Sequence, residues 1–241
     1  GLYVFSCGIA AKQMADKVNA RIVSNGVKGE VHTYSVTDYA ESVINAASGV
    51  YSDKAVNAVK AMLNYGTAAQ QYFGYNTDNP ANSIMTDDDK NMDMVGFNTY
   101  TGKLVNADSV SGISYYGSSL VLESDTILRN YFELSDGYSI DNYTFYVKDK
   151  DGNKNIIAPQ KTDASLYYID ISNVKAYELA DNVNIYVQKN GDSEDKIMML
   201  EYGAYVYARY VDKYLDNTAL KNLMTAMYHY CNAATEYANI Y

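Results

Sequence analysis

Displaced by 165 residues, the chain lies on itself without a gap. Tyr3 falls on Tyr168, Ala11 on Ala176, Ala15-Asp16 on Ala180-Asp181, Val18-Asn19 on Val183-Asn184, and Asn25-Gly26 on Asn190-Gly191. The same offset carries Ala61-Met62 onto Ala226-Met227, Tyr65 onto Tyr230, Ala68-Ala69 onto Ala233-Ala234 and Tyr72 onto Tyr237. Self-similarity at a fixed offset is the mark of an internally duplicated module, and it limits the fold to one that can be built twice.

The shared positions in KAMLNYGTAAQQYF (60–73) and TAMYHYCNAATEYA (225–238) follow i, i+1, i+4, i+7, i+8 and i+11, one stripe of a 3.6-residue period. A repeated stripe of Ala, Met and Tyr is a docking face for a helix, and a structural reading of it outweighs a ligand-binding one. Ser52 and Asn217 align as N-caps of these helices. In the first copy a second helix precedes the motif helix, opened by Ser35-Val36-Thr37-Asp38, with Val36, Tyr39, Ala40, Val43, Ile44 and Ala47 at helical spacing. In the second copy 202–214 fills that place, so each copy ends in an αα-hairpin.

Upstream of each hairpin the period changes to two. Strands are expected at 113–116, 120–122, 126–134, 143–148, 165–171, 183–188 and 196–200, the last two joined through Asn190-Gly191. The first copy has only 2–7, 18–23 and 30–34. The expected fold class is therefore α+β: a duplicated module of β-sandwich-like sheet followed by a helical hairpin, the first copy lacking its early strands. The corresponding domains are 1–76, a linker at 77–112 rich in Asn, Asp, Gly and Thr, and 113–241. The short first sheet is expected to pack on its own hairpin and to take cover from a neighbouring part of the chain.

A net charge of −10 opposes binding to polyphosphate, which needs clustered Lys and Arg, so neither nucleic acid nor an anionic membrane surface is an expected partner. No apolar run is long enough to span a bilayer. Two cysteines, Cys7 and Cys231, do not make a disulfide scaffold; they pair only if the fold joins the two ends, and buried free cysteine is the alternative. The only histidines, His32 and His229, have no Cys or Asp at ligand spacing, so neither a metal nor a Cys-His nucleophile is expected, and no cofactor motif is present. Paired carboxylates for glycoside cleavage are set by spatial proximity, and nothing in the sequence singles out such a pair. Asp149-Lys150-Asp151-Gly152-Asn153 has calcium-like oxygen spacing, but its glycine is misplaced for an EF-hand-type loop, and a β-turn accounts for the same residues.

Tyrosine is the compositional outlier, at 27 against 5 Phe and no Trp. Most of these rings suit half-buried packing, and an amphipathic ring also suits stacking on sugars. Alternation along 126–134 with Leu128, Phe132 and Leu134 inward turns Arg129, Tyr131 and Glu133 outward; along 143–148 it turns out Tyr146, and along 165–171 it turns out Tyr168 and Asp170. Tyr131, Tyr146, Tyr168, Arg129 and Asp170 are thus the expected ligand-binding residues, the rings for apolar sugar faces and the charges for hydroxyls. The competing reading is that this face is covered and its tyrosines only pack.

The segment at 59–76, VKAMLNYGTAAQQYFGYN, preceded by YSVTDYA at 34–40, resembles a module of large secreted proteins of gut clostridial bacteria. Those proteins are similar to cell-surface adhesins and polysaccharide-binding components, including ruminococcal starch- and fibre-attachment proteins. The resemblance implies an extracellular, non-catalytic module of a larger surface protein with a polysaccharide or oligosaccharide partner, and it carries no binding residues with it. The second copy departs from the motif, with Cys231-Asn232 in place of Gly66-Thr67 and no Gly-Tyr-Asn tail. A spacer or protein adhesion module without a glycan ligand fits the same features.

Overall fold

The computed structural model describes residues 4–93, 110–122, 125–149, 151–181, 183–192, 197–200 and 216–239. The chain is α+β, with antiparallel sheets and helices divided between two compact units. Unit 1 comprises 1–96 and 215–241, and unit 2 comprises 97–214. This division differs from boundaries at 76 and 113, because the last helix belongs with the first part of the chain.

Unit 1 holds the hairpin β1 (Val18–Ser24) and β2 (Val27–Tyr34), then α1 (Val36–Ile44), α2 (Asp53–Phe73), the single turn α3 (Asp87–Lys90) and α4 (Thr218–Ala238). Each long helix starts where a side chain replaces a missing backbone partner. Ser35 accepts from the Asp38 amide, Ser52 from Ala55 and Asn217 from Leu220. The two motif helices pack on one another, with Tyr65 stacked on Tyr230 at 5.7 Å. Leu63 and Ala69 of α2 and Leu223, Ala226 and Met227 of α4 are fully buried there.

Every residue of α2 from Leu63 to Gln70 is buried, so the middle of this helix is enclosed on all sides, while its two ends reach solvent. Its polar stripe, Asn64, Thr67 and Gln70, holds the segment that follows the helix. Gln70 donates to the carbonyls of Asn76 and Asn79 and accepts from the Ala81 amide at 2.8 Å. Thr67 accepts from the Asn82 amide, Asn64 accepts from the Asn82 side chain, and Asn64 donates to the Asp89 carbonyl. Residues 76–91 are therefore part of unit 1 and not a free linker. The Gly-Tyr-Asn tail is structural as well: Gly74 closes the helix at φ 60°, and Tyr75 and Asn76 both donate to the Asp16 carboxylate.

Lys60 and Thr86 hold the Asp89 carboxylate at 2.8 and 2.9 Å, with the lysine the largest cause of a pKa below the usual carboxylate value. A depressed pKa contributes stability above the unfolded value, near pH 4, that disappears as pH falls through the folded value. Acidification from pH 6 to 3 is thus expected to lower the protection of the amides in 80–91 relative to their intrinsic exchange rates, and Lys60→Met to flatten that dependence, both read by hydrogen–deuterium exchange.

The hairpin β1–β2 departs from expectation. It forms a two-stranded sheet by itself, and every residue of it except half-buried Val18 is exposed. Of the strand expected at 2–7, residues 4–7 form no secondary structure and 2–3 lie outside the described residues.

Unit 2 is a sandwich of two four-stranded antiparallel sheets among the described residues. One has the order β3 (Ile113–Leu122), β4 (Thr126–Leu134), β8 (Tyr167–Ile171), β7 (Gln160–Lys161); the other has β10 (Ile197–Leu200), β9 (Val183–Lys189), β5 (Tyr143–Lys148), β6 (Lys154–Ile157). Between them lie Ile113, Phe132 and Ile169 from the first sheet and Phe145, Ile185 and Val187 from the second. The two strands expected at 113–116 and 120–122 are one strand with a bulge between Tyr115 and Gly117, which shifts the alternation so that Tyr115 and Ser118 pair opposite inward Phe132 and Asn130. Asn130 is fully buried, accepts from Ser118 at 2.6 Å and donates to the Leu128 carbonyl. The helix expected at 202–214 lies outside the described residues.

Candidate functional site: the outer face of the β3-β4-β8-β7 sheet

Strand register brings four of the five expected residues together. Arg129 on β4 pairs across the ladder with Asp170 on β8, and Tyr131 pairs with Tyr168. With inward Leu128, Phe132 and Ile169 facing the core, all four project from the opposite face. The neighbouring strands extend the row, because Ser119 of β3 lies opposite Arg129 and Gln160 of β7 lies opposite Tyr168.

The row is tightly bonded. Arg129 donates through Nε and a terminal guanidinium nitrogen to the two Asp170 oxygens, both at 2.7 Å, a forked geometry that fixes both side chains. The hydrogen bonds to Asp170 are the largest cause raising the Arg129 pKa above its ordinary value, so the guanidinium stays charged at any working pH. The guanidinium also lies 4.1 Å from the Tyr168 ring centroid. Tyr168 donates its hydroxyl to Gln160 Oε1 at 2.5 Å, and the Tyr131 and Ser119 hydroxyls are 3.2 Å apart. The two tyrosine rings stand 6.0 Å apart, tilted by 51°, and form a shallow notch rather than a flat shelf. All these side chains except exposed Gln160 are half-buried, with Arg129 at 27% and Asp170 at 22% exposure.

Tyr146 is not part of this face. It lies on β5 in the other sheet and is fully buried. The alternation was read correctly, since Phe145 enters the sandwich core; the inference from outward-facing to exposed was not. Tyr186, directly opposite on β9, stacks on the Tyr146 ring at 5.0 Å and 8°, and Lys154 lies 4.5 Å from its centroid. Outward on a strand means away from one sheet partner, and a large neighbour can still cover the position.

Gln160 and Ser119 were missed by the sequence reading. A two-residue strand such as β7 leaves no periodicity to find, and the bulge in β3 breaks the alternation that would have placed Ser119.

Elsewhere in unit 2 an open cleft of 530 Å³ is bordered by Asp149, Asn173, Glu178, Asn184 and Tyr186. Two of its acidic groups are engaged: Asp149 accepts from the Asp151 and Asn153 amides and the Asn153 side chain, and Glu178 accepts from the Lys175 amide. Gly152, at φ 84°, donates its amide to the Asp149 carbonyl at 3.0 Å, the bond of the expected turn. Among the described residues no group of His, Cys, Asp or Glu is arranged to hold a metal ion, and no helix is long and apolar enough to cross a membrane. Cys7 is exposed and Cys231 buried, and no disulfide joins them.

Comparisons with protein-family models, curated proteins and solved structures return no match to this chain.

Proposed function

We propose that this chain is a non-catalytic, extracellular, carbohydrate-binding part of a bacterial surface protein, and that unit 2 engages a polysaccharide through Tyr131 and Tyr168. The observation that carries this reading is the preformed row of Ser119, Arg129, Tyr131, Asp170, Tyr168 and Gln160 on one sheet face. Two rings offer apolar sugar faces a contact, and the fixed Arg129–Asp170 pair presents donors and acceptors to hydroxyls without further ordering. With Arg129 neutralised by Asp170 and the chain at −10, a neutral glycan such as starch or a plant-fibre glucan fits better than an acidic one.

A duplicated module belongs to the same proposal. Support comes from element bounds that coincide at the 165-residue offset: Ala11–Gln13 with Ala176–Glu178, Val18–Ser24 with Val183–Lys189, and Asp53–Phe73 with Thr218–Ala238. The turns at the first pair are closed alike, Ala10 donating its amide to Gln13 Oε1 and Lys175 to Glu178 Oε2.

A second reading, a spacer or protein adhesion module, is favoured by one specific observation. The Tyr168 hydroxyl and the Arg129–Asp170 forks are already mutually satisfied, as packing alone would require. Affinity electrophoresis against soluble glucans separates the two. Retardation by a glucan, lost in Tyr131→Ala and Tyr168→Ala while both variants remain folded at the temperature of the assay, supports glycan binding; dissociation constants of about 1 µM to 1 mM are expected for so shallow a contact. Passage of the parent unretarded through every glycan tested favours the spacer.

A further inference from the structure

The hairpin β1–β2 is the part of unit 1 that its core does not use. Ile22 is 70% exposed, Val27 74% and Val31 53%. Among the described residues β1 is paired along one edge only. A lone two-stranded hairpin is marginal in water, and an unpaired edge with apolar side chains is a template for a further strand.

The chain also contains a complete version of this arrangement. At the 165-residue offset β1 falls on β9, which carries β10 along one edge and β5 along the other. Ile185 and Val187 of β9 are fully buried in the sandwich; their counterparts on β1 are Ala20 and Ile22, both exposed. The same type of strand is thus finished in one unit and, among the described residues, open along one edge and over the face of Ala20 and Ile22 in the other.

We infer that the free edge of β1 is an acceptor for one strand of a β-sandwich of the unit 2 kind, which adds antiparallel to β1 and covers Ala20 and Ile22. Main-chain hydrogen bonds would supply affinity and alternate side chains specificity, as in strand addition generally. The register comes from β5 on β9, where Phe145 lies opposite Val187 and Tyr143 opposite Lys189. An aromatic residue is therefore placed opposite Ile22 and another opposite Ser24. The β5 strand of a second copy cannot serve, because its two edges already carry β9 and β6. The inference rests on the duplication proposed above and is independent of glycan binding, which concerns unit 2.

The test adds an acetylated peptide of sequence SIDNYTFYVK, that of residues 139–148, to the full chain and follows amide exchange. Exchange in 18–24 is expected to slow about tenfold at about 1 mM peptide, while 183–189, already paired on both edges, is unchanged. The effect should vanish in Ile22→Asp and with a peptide carrying Asp in place of its Tyr143- and Phe145-type residues. Exchange in α2, read in the same samples, reports that unit 1 is folded. Unchanged exchange in 18–24, equal slowing by the Asp-substituted peptide, or slowing that follows protein concentration without peptide would each overturn the proposal, the last by assigning the edge to a second copy. Glucan retardation, measured separately, is unaffected by any of these results.

Discussion

Replacing Gly66 by leucine is expected to destabilise unit 1 by about 2–3 kcal/mol, the upper part of the range for overpacking a closed core. A β-carbon at Gly66 would lie 2.7 Å from Met14 Sδ, 3.1 Å from Ala81 Cβ and 3.3 Å from the Ala11 carbonyl oxygen. The sulfur can swing aside, but Ala81 is fully buried and the Ala11 carbonyl is backbone. Glycine in a helix interior costs about 1 kcal/mol relative to alanine, so its presence here is explained by close approach of the 11–14 turn and the 80–85 segment. The double variant Met14→Ala, Gly66→Leu should recover part of the loss by vacating the sulfur's space. Thermal and urea unfolding of the three proteins measure this, and a leucine variant as stable as the parent would remove the close-packing account. The counterpart at the 165-residue offset is Cys231, which is buried but is not glycine. The two helices thus differ at this position because the neighbours of α2 require a bare backbone there.

That difference marks how far the sequence could be read. Helix starts were legible because capping is local: Ser35, Ser52 and Asn217 each bond an amide three residues on. Strands 126–134 and 143–148 were legible because alternation is local too. What escaped was the identity of each element's partner. The stripe Ala61, Met62, Tyr65, Ala68, Ala69 announced a docking face, but only the fold shows that α2 and α4 face one another, which draws the last helix out of the second stretch of chain and into unit 1. The role of Asn64, Thr67 and Gln70 was not legible either, because the segment that covers them, 76–91, is polar and holds them through hydrogen bonds that leave no hydrophobic pattern. The candidate site was legible to the same depth. Arg129, Tyr131, Tyr168 and Asp170 share a face by alternation, and the register that sets Arg129 against Asp170 is a tertiary fact.

Tyr146→Ala tests the one expected site residue that is buried, and it is expected to cost about 3–5 kcal/mol, the range for truncating a buried aromatic side chain. The ring is fully buried and lies parallel to Tyr186, so its removal opens a space the size of a ring and takes away a stacking partner. Tyr168→Ala removes a ring of the same size from a half-buried position, where solvent can fill part of the space, so its cost should be clearly smaller. Its consequence is instead local: Arg129 loses the ring beneath its guanidinium while keeping both bonds to Asp170. Urea denaturation of the two variants therefore separates a core tyrosine from a surface one by chemistry alone. Equal losses would mean that the outer face of β4 and β8 is packed as tightly as that of β5 and β9, and the notch between Tyr131 and Tyr168 would then have no room for a sugar.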